Sequence, residues 1–489
     1  MQSVNERETN GIIIGPEFSR IFAEIILQYI DKNVDIELLN NPSSLINKRN
    51  YECYRYVDDY FLFYNDEKDK DEIIDCLWKW LKEFKLKIND SKTFILNRPF
   101  ITPVTKAKIR INNLLNDMFD KTLWKGEKAD LNIEKDFANK DNIFKDENEP
   151  NEESENINKE VIQDLVDSKI NLYMQSNSYI KEIKSIIDDC NIQYNDIANY
   201  FLEIFGRKVD AFLKKFDSGL KKLCRGLNSE LAESIRTEAE MSYKNAQKNI
   251  SSFMANIIDV AFFVYNSHRQ VNTTLKLQKL INPLILYVRN DYRISVDHDA
   301  KELRLKRFED IYRNAVLKKI QDELTLVLST TDKHRNTLHE STYLLVLSKE
   351  LGAKYMFSPK IMENFIYMSG LDYNVFICLI LLYYYSNHES YKELKKILED
   401  KIIGKYEQVS IMERPRNAEL TIMTADLMTC PFVDESFKKK ILKKIGITKE
   451  EEQKGIIRFA KKQKYIFTRW TSFDLNKELQ AKISQEVYS

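Results

Sequence analysis

Apolar positions change their period along this chain, and the change separates a short mixed segment from a long helical one. Phe18, Ile21, Phe22, Ile25 and Tyr29 follow helical spacing, with Ser19, Arg20 and Glu24 on the other side. Pro16 suits the first turn of that helix, and Gly11 and Gly15 suit a backbone turn before it. Asp31 and Asp35 fall toward the expected end of the helix. Two aromatic and β-branched runs follow, Tyr51 to Arg55 and Tyr60 to Tyr64, and these predict strands. Between them lies Tyr56-Val57-Asp58-Asp59, whose Asp pair predicts a hairpin tip. Residues 71–84 predict a helix with Ile73, Ile74, Leu77, Leu81 and Phe84 on one face. Residues 86–96 alternate enough for a strand pair with a polar turn at Asn89 to Ser91.

Beyond Val161 the pattern is almost wholly helical. Windows at 160–174, 195–205, 255–265, 275–287, 302–328, 338–349 and 372–385 each hold an apolar stripe, and Ser358-Pro359 opens a further helix. Short loops between such helices predict a bundle or irregular helical repeats, suited to a scaffold, a nucleic-acid wrap or a homo-oligomer interface. The most apolar window, 375–385, is too short to span a bilayer.

Composition sharpens this picture in three ways. The chain has 489 residues, so the prior is about three domains, and its 11 glycines and 9 prolines are few enough to favour long helices. Cysteines 53, 76, 190, 224, 378 and 430 contain no Cys-x-x-Cys, which indicates neither a zinc site nor a disulfide framework. No basic segment followed by an apolar one begins the chain, so the expected location is the cytoplasm, with no membrane partner.

The 75 basic and 75 acidic residues cancel, but unevenly. Residues 126–160 are polar and acid-rich, which predicts a solvated connector. Arg207-Lys208, Lys214-Lys215, Lys221-Lys222 and Arg225 recur among Phe212, Phe216 and Leu220, which predicts a helix with an apolar stripe and a basic face. Such a face is either solvated or tracks a phosphate backbone. A second basic run, from Lys438 to Arg469, is interrupted by Glu450-Glu451-Glu452.

Two adjacent carboxylates on a hairpin tip can present oxygen ligands to a hard cation such as Mg²⁺. That arrangement suggests two-metal phosphoryl transfer. A rival pattern, Arg335-Asn336-Thr337-Leu338-His339, has only three residues between Arg and His, against the four to six of the helical ribonucleases it loosely resembles. A polar helix start is the preferred reading there.

The order of glycine loop, helix, Asp-Asp hairpin, helix and Asn-x-x-Lys-Thr resembles the second half of a reverse-transcriptase palm. It is most similar to the bacterial abortive-infection and defence-associated reverse transcriptases. The residues that carry the likeness are Thr9 to Glu24, Arg55 to Asp59 and Asn89 to Thr93, with a further segment from Ala418 to Phe432. The resemblance implies an α+β partial palm followed by a large all-α region. It divides the chain into a palm half at 1–104, a connector at 105–160, a thumb-like segment at 161–240 and an all-α domain at 241–489. It also implies an RNA-directed DNA polymerase using deoxynucleoside triphosphates (dNTPs) and Mg²⁺ or Mn²⁺, with DNA or RNA as partners, in antiphage defence. The alternative is a non-catalytic nucleic-acid-binding or assembly subunit built on a degenerate palm.

By the same resemblance, Asp58 is the principal metal ligand and Asp59 the secondary one. Tyr56 and Val57 line the primer end, while Gly15, Ser19 and Arg20 lie near the incoming nucleotide or the paired strand. Lys92 sits near the leaving pyrophosphate, where a cation offsets developing charge. Two departures qualify this. Ile14 stands where templated enzymes commonly have Gln before the glycine, which fits members that synthesise without a template and prime from a protein hydroxyl. None of the eight residues before Thr9 is Asp, so by the resemblance the fingers and first palm strands, with the earlier metal-binding Asp, are missing from this sequence and the metal site is incomplete. Three accounts stand: a truncated product, a partner polypeptide supplying the missing half, or a catalytically dead palm.

Overall fold

The computed structural model describes residues 17–89, 92–96, 101–122, 175–225, 233–289, 293–294, 305–306, 309–330, 338–367, 374–463 and 465–485. The chain divides into two compact units, residues 1–100 and 101–489.

The first unit is α+β. Helix α1 (Glu17–Asn40) leads to an antiparallel hairpin of β1 (Tyr51–Tyr56) and β2 (Asp59–Tyr64), followed by α2 (Glu67–Glu83). The strands pair in register from Tyr51 opposite Tyr64 to Tyr56 opposite Asp59. Period-2 alternation turns Tyr51, Cys53, Arg55, Tyr60 and Leu62 toward the helices and leaves Tyr54, Tyr56, Phe61 and Phe63 exposed. The core is Ile30, Val34, Leu38, Leu45, Tyr51, Ile73, Cys76, Leu77 and Leu81.

The apolar stripe that predicts α1 is not the face that α1 buries. Phe18, Ile21, Phe22, Ile25 and Tyr29 are all exposed, whereas Ser19, Ile30, Val34 and Leu38 are buried. Asp31 and Asp35 do not end the helix; they lie inside it, because Val34 and Leu38 carry the buried face on to Asn40. Helix α2 starts earlier than predicted, at Glu67, after Asp66 in extended conformation, and Glu67 and Asp69 in its first turn suit the helix dipole. The expected strand pair at residues 86–96 does not form among its described residues. Phe94, Ile95 and Leu96 are exposed, so the alternating pattern has no apolar face to bury against, and an isolated hairpin is marginal in water.

Among its described residues the second unit is helical except for a two-residue pair, β3 (Arg293–Ile294) with β4 (Leu305–Lys306). The helices described in its first part are α3 (Pro103–Thr122), α4 (Ser176–Asp189), α5 (Tyr194–Arg225), α6 (Glu233–Ser267), α7 (Val271–Arg289) and α8 (Asp310–Ser329). The predicted windows 195–205 and 255–265 are therefore parts of longer helices. The predicted helix at 302–328 begins only at Asp310, because Leu305 and Lys306 pair as a strand. Helix α3 falls within the span expected as a connector, and it packs on α5 through Phe119 against Phe205 and Phe212.

Contact pairs give the helix directions. Lys108 meets Tyr200, Asn116 meets Lys208, Glu203 meets Lys279 and Asp217 meets Tyr287, so α3, α5 and α7 run the same way. Ser176 meets Asp259, Lys184 meets Phe263, Ser251 meets Tyr312 and Lys319 meets Asp259, so α4, α6 and α8 are likewise parallel to one another. Arg110 reaches Asp189 at the far end of α4, which places the two sets in opposite directions.

Eight more helices continue the unit: α9 (Leu338–Glu350), α10 (Pro359–Ile366), α11 (Val375–Tyr385), α12 (Lys392–Glu407), α13 (Ala418–Thr429), α14 (Glu435–Lys444), α15 (Glu450–Gln463) and α16 (Leu475–Gln485). Ser358 and Asn374 cap α10 and α11 by accepting from Ile361 N–H and Ile377 N–H. Asp426 is fully buried, and its carboxylate accepts from the Phe467 and Thr468 N–H groups and the Thr468 hydroxyl. The segment Ala418 to Phe432 thus organises the loop before α16. Residues 240–267 of α6 are long and apolar enough to cross a membrane, but 61% of the apolar window is buried inside the structure, as in a core helix.

Phe253 packs edge-to-face on Phe119 (centroids 5.9 Å apart) and tilted against Phe212 (4.5 Å), and it is almost fully buried. Phe253→Ala should destabilise the helical unit by about 3–5 kcal/mol, seen as an earlier urea midpoint in far-ultraviolet circular dichroism.

Candidate functional site

The Asp-Asp hairpin is held by one arginine. Arg55 points inward from β1, and its side chain is only 8% exposed. Its Nε donates to Asp31 at 2.8 Å, while its two terminal nitrogens donate to the Glu24 carboxylate at 2.8 and 2.9 Å. One of them also donates to the carbonyl of Val57 at 2.9 Å. This planar, forked donor set joins α1 to the tip itself. Tyr60 O–H donates to the other Asp31 oxygen, and Tyr51 O–H and the Asn47 amide donate to Asp35. The cluster borders a small cavity of about 80 Å³.

Charge follows this geometry. The Arg55 hydrogen bonds, helped by Gln28, hold the Glu24 carboxyl down at about 2. The hydrogen bonds that Arg55 donates to Glu24 are the largest influence raising Arg55 above its ordinary value. Burial, followed by the charge of Asp31, raises Tyr60; burial, followed by the bond to Asp35, raises Tyr51. Burial and the nearby Asp31 and Asp35 push the Cys53 thiol up to about 12. Cys53 is thus an inert neutral thiol at neutral pH.

The tip has two residues, Val57 and Asp58, between the closing pair Tyr56 and Asp59. Val57 has φ 56°, in the left-handed region that a β-branched side chain rarely enters. Such strain persists only where surrounding contacts impose it, and it clusters at functional sites. The bond from Arg55 to the Val57 carbonyl is one such contact. Asp58 and Asp59 are both exposed, and no ion pair engages either among the described residues. Arg55, the nearest fixed cation in sequence, is already matched by Glu24 and Asp31.

The other expected site residues are placed unevenly. Tyr56 is 72% exposed, beside Asp59 on the outer face of the hairpin. Ser19 is buried in the first turn of α1, and its hydroxyl has no hydrogen-bond partner among the described residues. Arg20 is exposed and pairs with Glu17, and its charge also helps lower Glu24 one turn later. Lys92 is exposed, its N–H closing a turn to the Asn89 carbonyl, and no hydrogen bond or ion pair among the described residues joins it to the hairpin. Gly15 lies outside the described residues, as do Arg335 and the side chain of His339. Glu24, Asp31 and Tyr60 were not singled out as site residues. Their signal was present in the seven-residue step from Glu24 to Asp31, which puts both carboxylates near one face of α1.

Comparison with known families bears on this same segment. Residues 5–116 match the model of the family described as reverse transcriptase (RNA-dependent DNA polymerase). The match spans α1, the hairpin, α2 and most of α3, and supports a reverse-transcriptase-like polymerase segment there. Comparison with curated proteins and with solved structures gives no match.

Arg55→Lys keeps the charge but loses the fork. It should speed amide exchange in β1 and β2 by about tenfold, read by hydrogen-exchange mass spectrometry. A depressed carboxyl stabilises the folded form in full above its ordinary range and loses that contribution as pH falls through its folded value. Protection of the hairpin should therefore hold from pH 7 to about 4 and fall as pH drops toward the Glu24 value of about 2.

Proposed function

We propose that the N-terminal unit carries the Asp-Asp element of a reverse-transcriptase-like polymerase. It transfers nucleotides from dNTPs to a hydroxyl on DNA, RNA or protein. The observation that carries this reading is the strained Val57-Asp58 tip, tied by Arg55 to α1 within the segment that matches the reverse-transcriptase family. Asp58 acts as the principal metal ligand and Asp59 as the second. The donor chemistry fits Mg²⁺ or Mn²⁺, since both side chains are exposed carboxylates with no competing ion pair among the described residues. Such an ion, when bound, polarises the transferred phosphoryl group and favours the alkoxide of the attacking hydroxyl.

The remaining work falls to this chain. Arg55 fixes the tip so that the carboxylates need not be ordered on binding. Tyr56 and Val57 offer an exposed surface for the primer end, and Arg20 and Lys92 offer exposed cations for the nucleotide and its leaving pyrophosphate. The family likeness assigns Gly15 and Ser19 to the nucleotide side, Ser19 from a buried position in the first turn of α1. No group of three His, Cys, Asp or Glu able to hold a metal occurs among the described residues. The site therefore takes its further carboxylate from another segment or from a partner polypeptide. By its likeness to the defence-associated group, the enzyme acts in the bacterial cytoplasm against phage. The two-carboxylate set also favours a second reading, a nucleic-acid-binding or assembly subunit that performs no chemistry.

Incorporation of labelled dNTP, with Mg²⁺ or Mn²⁺, separates the readings. Asp58→Asn should lower incorporation by at least about 100-fold while leaving the circular dichroism spectrum unchanged. Equal incorporation by the variant would remove Asp58 from the site. A parent chain that binds nucleic acid in chelator and incorporates nothing, even with its partner, would establish the second reading.

A further inference from the structure

Lys349 lies in the last turn of α9 and meets the C-terminal end of α11. Its Nζ donates to the Tyr383 carbonyl and to the Ser386 hydroxyl. The same nitrogen sits 3.8 Å from the centre of the Tyr383 ring and 5.4 Å from that of Phe432. No ion pair engages it among the described residues. Glu350 and Cys430 favour its charged form, and Arg289 and Asp474 act on Glu350 in turn. Burial outweighs them and pushes the Lys349 ammonium down to about 8.

Ser386 follows the last residue of α11, at φ 49° and ψ −132°. An L side chain rarely enters that region, and such strain clusters at functional sites. A lysine on the last carbonyls is an ordinary way to end a helix. Ending a helix does not call for serine at this backbone, which glycine would adopt without cost. Ser386 is half-buried, and Asn387 after it is exposed. The Ser386 and His388 N–H groups return to Leu382 and Tyr385, but no backbone bond takes up the Asn387 N–H among the described residues. A sharp turn that carries a serine, followed by an untied N–H, is how many hydrolases present a nucleophile and its oxyanion donor. A desolvated lysine on the serine oxygen supplies a base.

We propose that Ser386 and Lys349 form a nucleophile and general base that hydrolyse a carboxylic ester with an apolar acyl group. The half-buried rings of Tyr383, Phe432 and Phe473 supply the apolar surface, with Phe473 5.4 Å from Tyr383. Ser386 Oγ bonds to the ester carbonyl carbon while its proton passes to the neutral Lys349 amine. The Asn387 N–H receives the oxyanion. Collapse breaks the bond to the leaving oxygen, which takes the proton from Lys349 and departs as an alcohol. Water then attacks the acyl-serine, giving a proton to Lys349. Ser386 reclaims that proton as the carboxylic acid leaves. Both side chains belong to the helical unit, so the site holds whether or not Asp58 and Asp59 perform chemistry.

The test uses the full chain and p-nitrophenyl butyrate over a pH series. Turnover should rise through a single titration near about 8. Acid quenching should leave a butyryl group that peptide mass spectrometry maps to Ser386. Ser386→Gly suits the backbone, so its urea midpoint should equal or exceed that of the parent, while turnover falls at least about 100-fold. Lys349→Arg keeps a cation and its donors but holds its proton, and should also lower turnover at least about 100-fold. Full turnover in Lys349→Arg would remove Lys349 as the base. Equal turnover in Ser386→Gly and the parent, or an adduct on other residues alone, would overturn the proposal. So would a parent chain that neither turns over the ester nor retains the acyl group. None of these readouts involves incorporation of dNTP.

Discussion

The N-terminal unit depends on Arg55. A guanidinium that is 8% exposed must be matched by carboxylates and hydrogen bonds, because an unpaired buried charge is costly. Glu24 and Asp31 supply the carboxylates, and the Val57 carbonyl takes the remaining fork. The same side chain therefore fixes the angle of the hairpin on α1 and holds its tip in a conformation that Val57 would not choose alone. Because Arg55 is matched from below, it does not neutralise Asp58 and Asp59. Both carboxylates stay exposed.

This unit also leaves much apolar surface uncovered. Its core comprises few side chains, while the outer hairpin face and one stripe of α1 present Tyr54, Phe61, Phe63, Phe22, Ile25 and Tyr29 to solvent. Exposed apolar faces of this kind mark interaction surfaces. They accord with the proposal that further polypeptide completes the site. Tyr29 is partly anchored by edge contacts with Trp80 and Phe84, which ties the stripe to α2.

The helical unit solves a different problem. Its helices in opposed sets bury a continuous core that includes Phe119, Phe205, Phe212 and Phe253. Tyrosines 384, 385, 391 and 406 are packed inside it rather than displayed. Tyr384 accepts from the Phe357 N–H, and Tyr391 donates to the Phe357 carbonyl, so these hydroxyls serve local backbone.

Local chemistry in the sequence determined the hairpin, most of the helices and the residue types at the tip, because strand alternation, helical period and capping act over a few residues. Tyr51 to Tyr64 folds as its alternation implies, and Ser358 caps its helix as Ser-Pro suggests. Longer reach defeated that reading. Phe94 and Ile95 alternate like a strand, yet find no sheet face to cover. The apolar stripe of α1 has the period of a buried face but stays in solvent, because α1 is docked through Glu24, Asp31 and Asp35 on another side. Nor does spacing reveal that Lys276 and Lys279 join Arg207, some seventy residues earlier, around Glu203. Which face is buried, and which distant charges meet, depends on the free energy of packing whole elements together, and only the tertiary structure decided it.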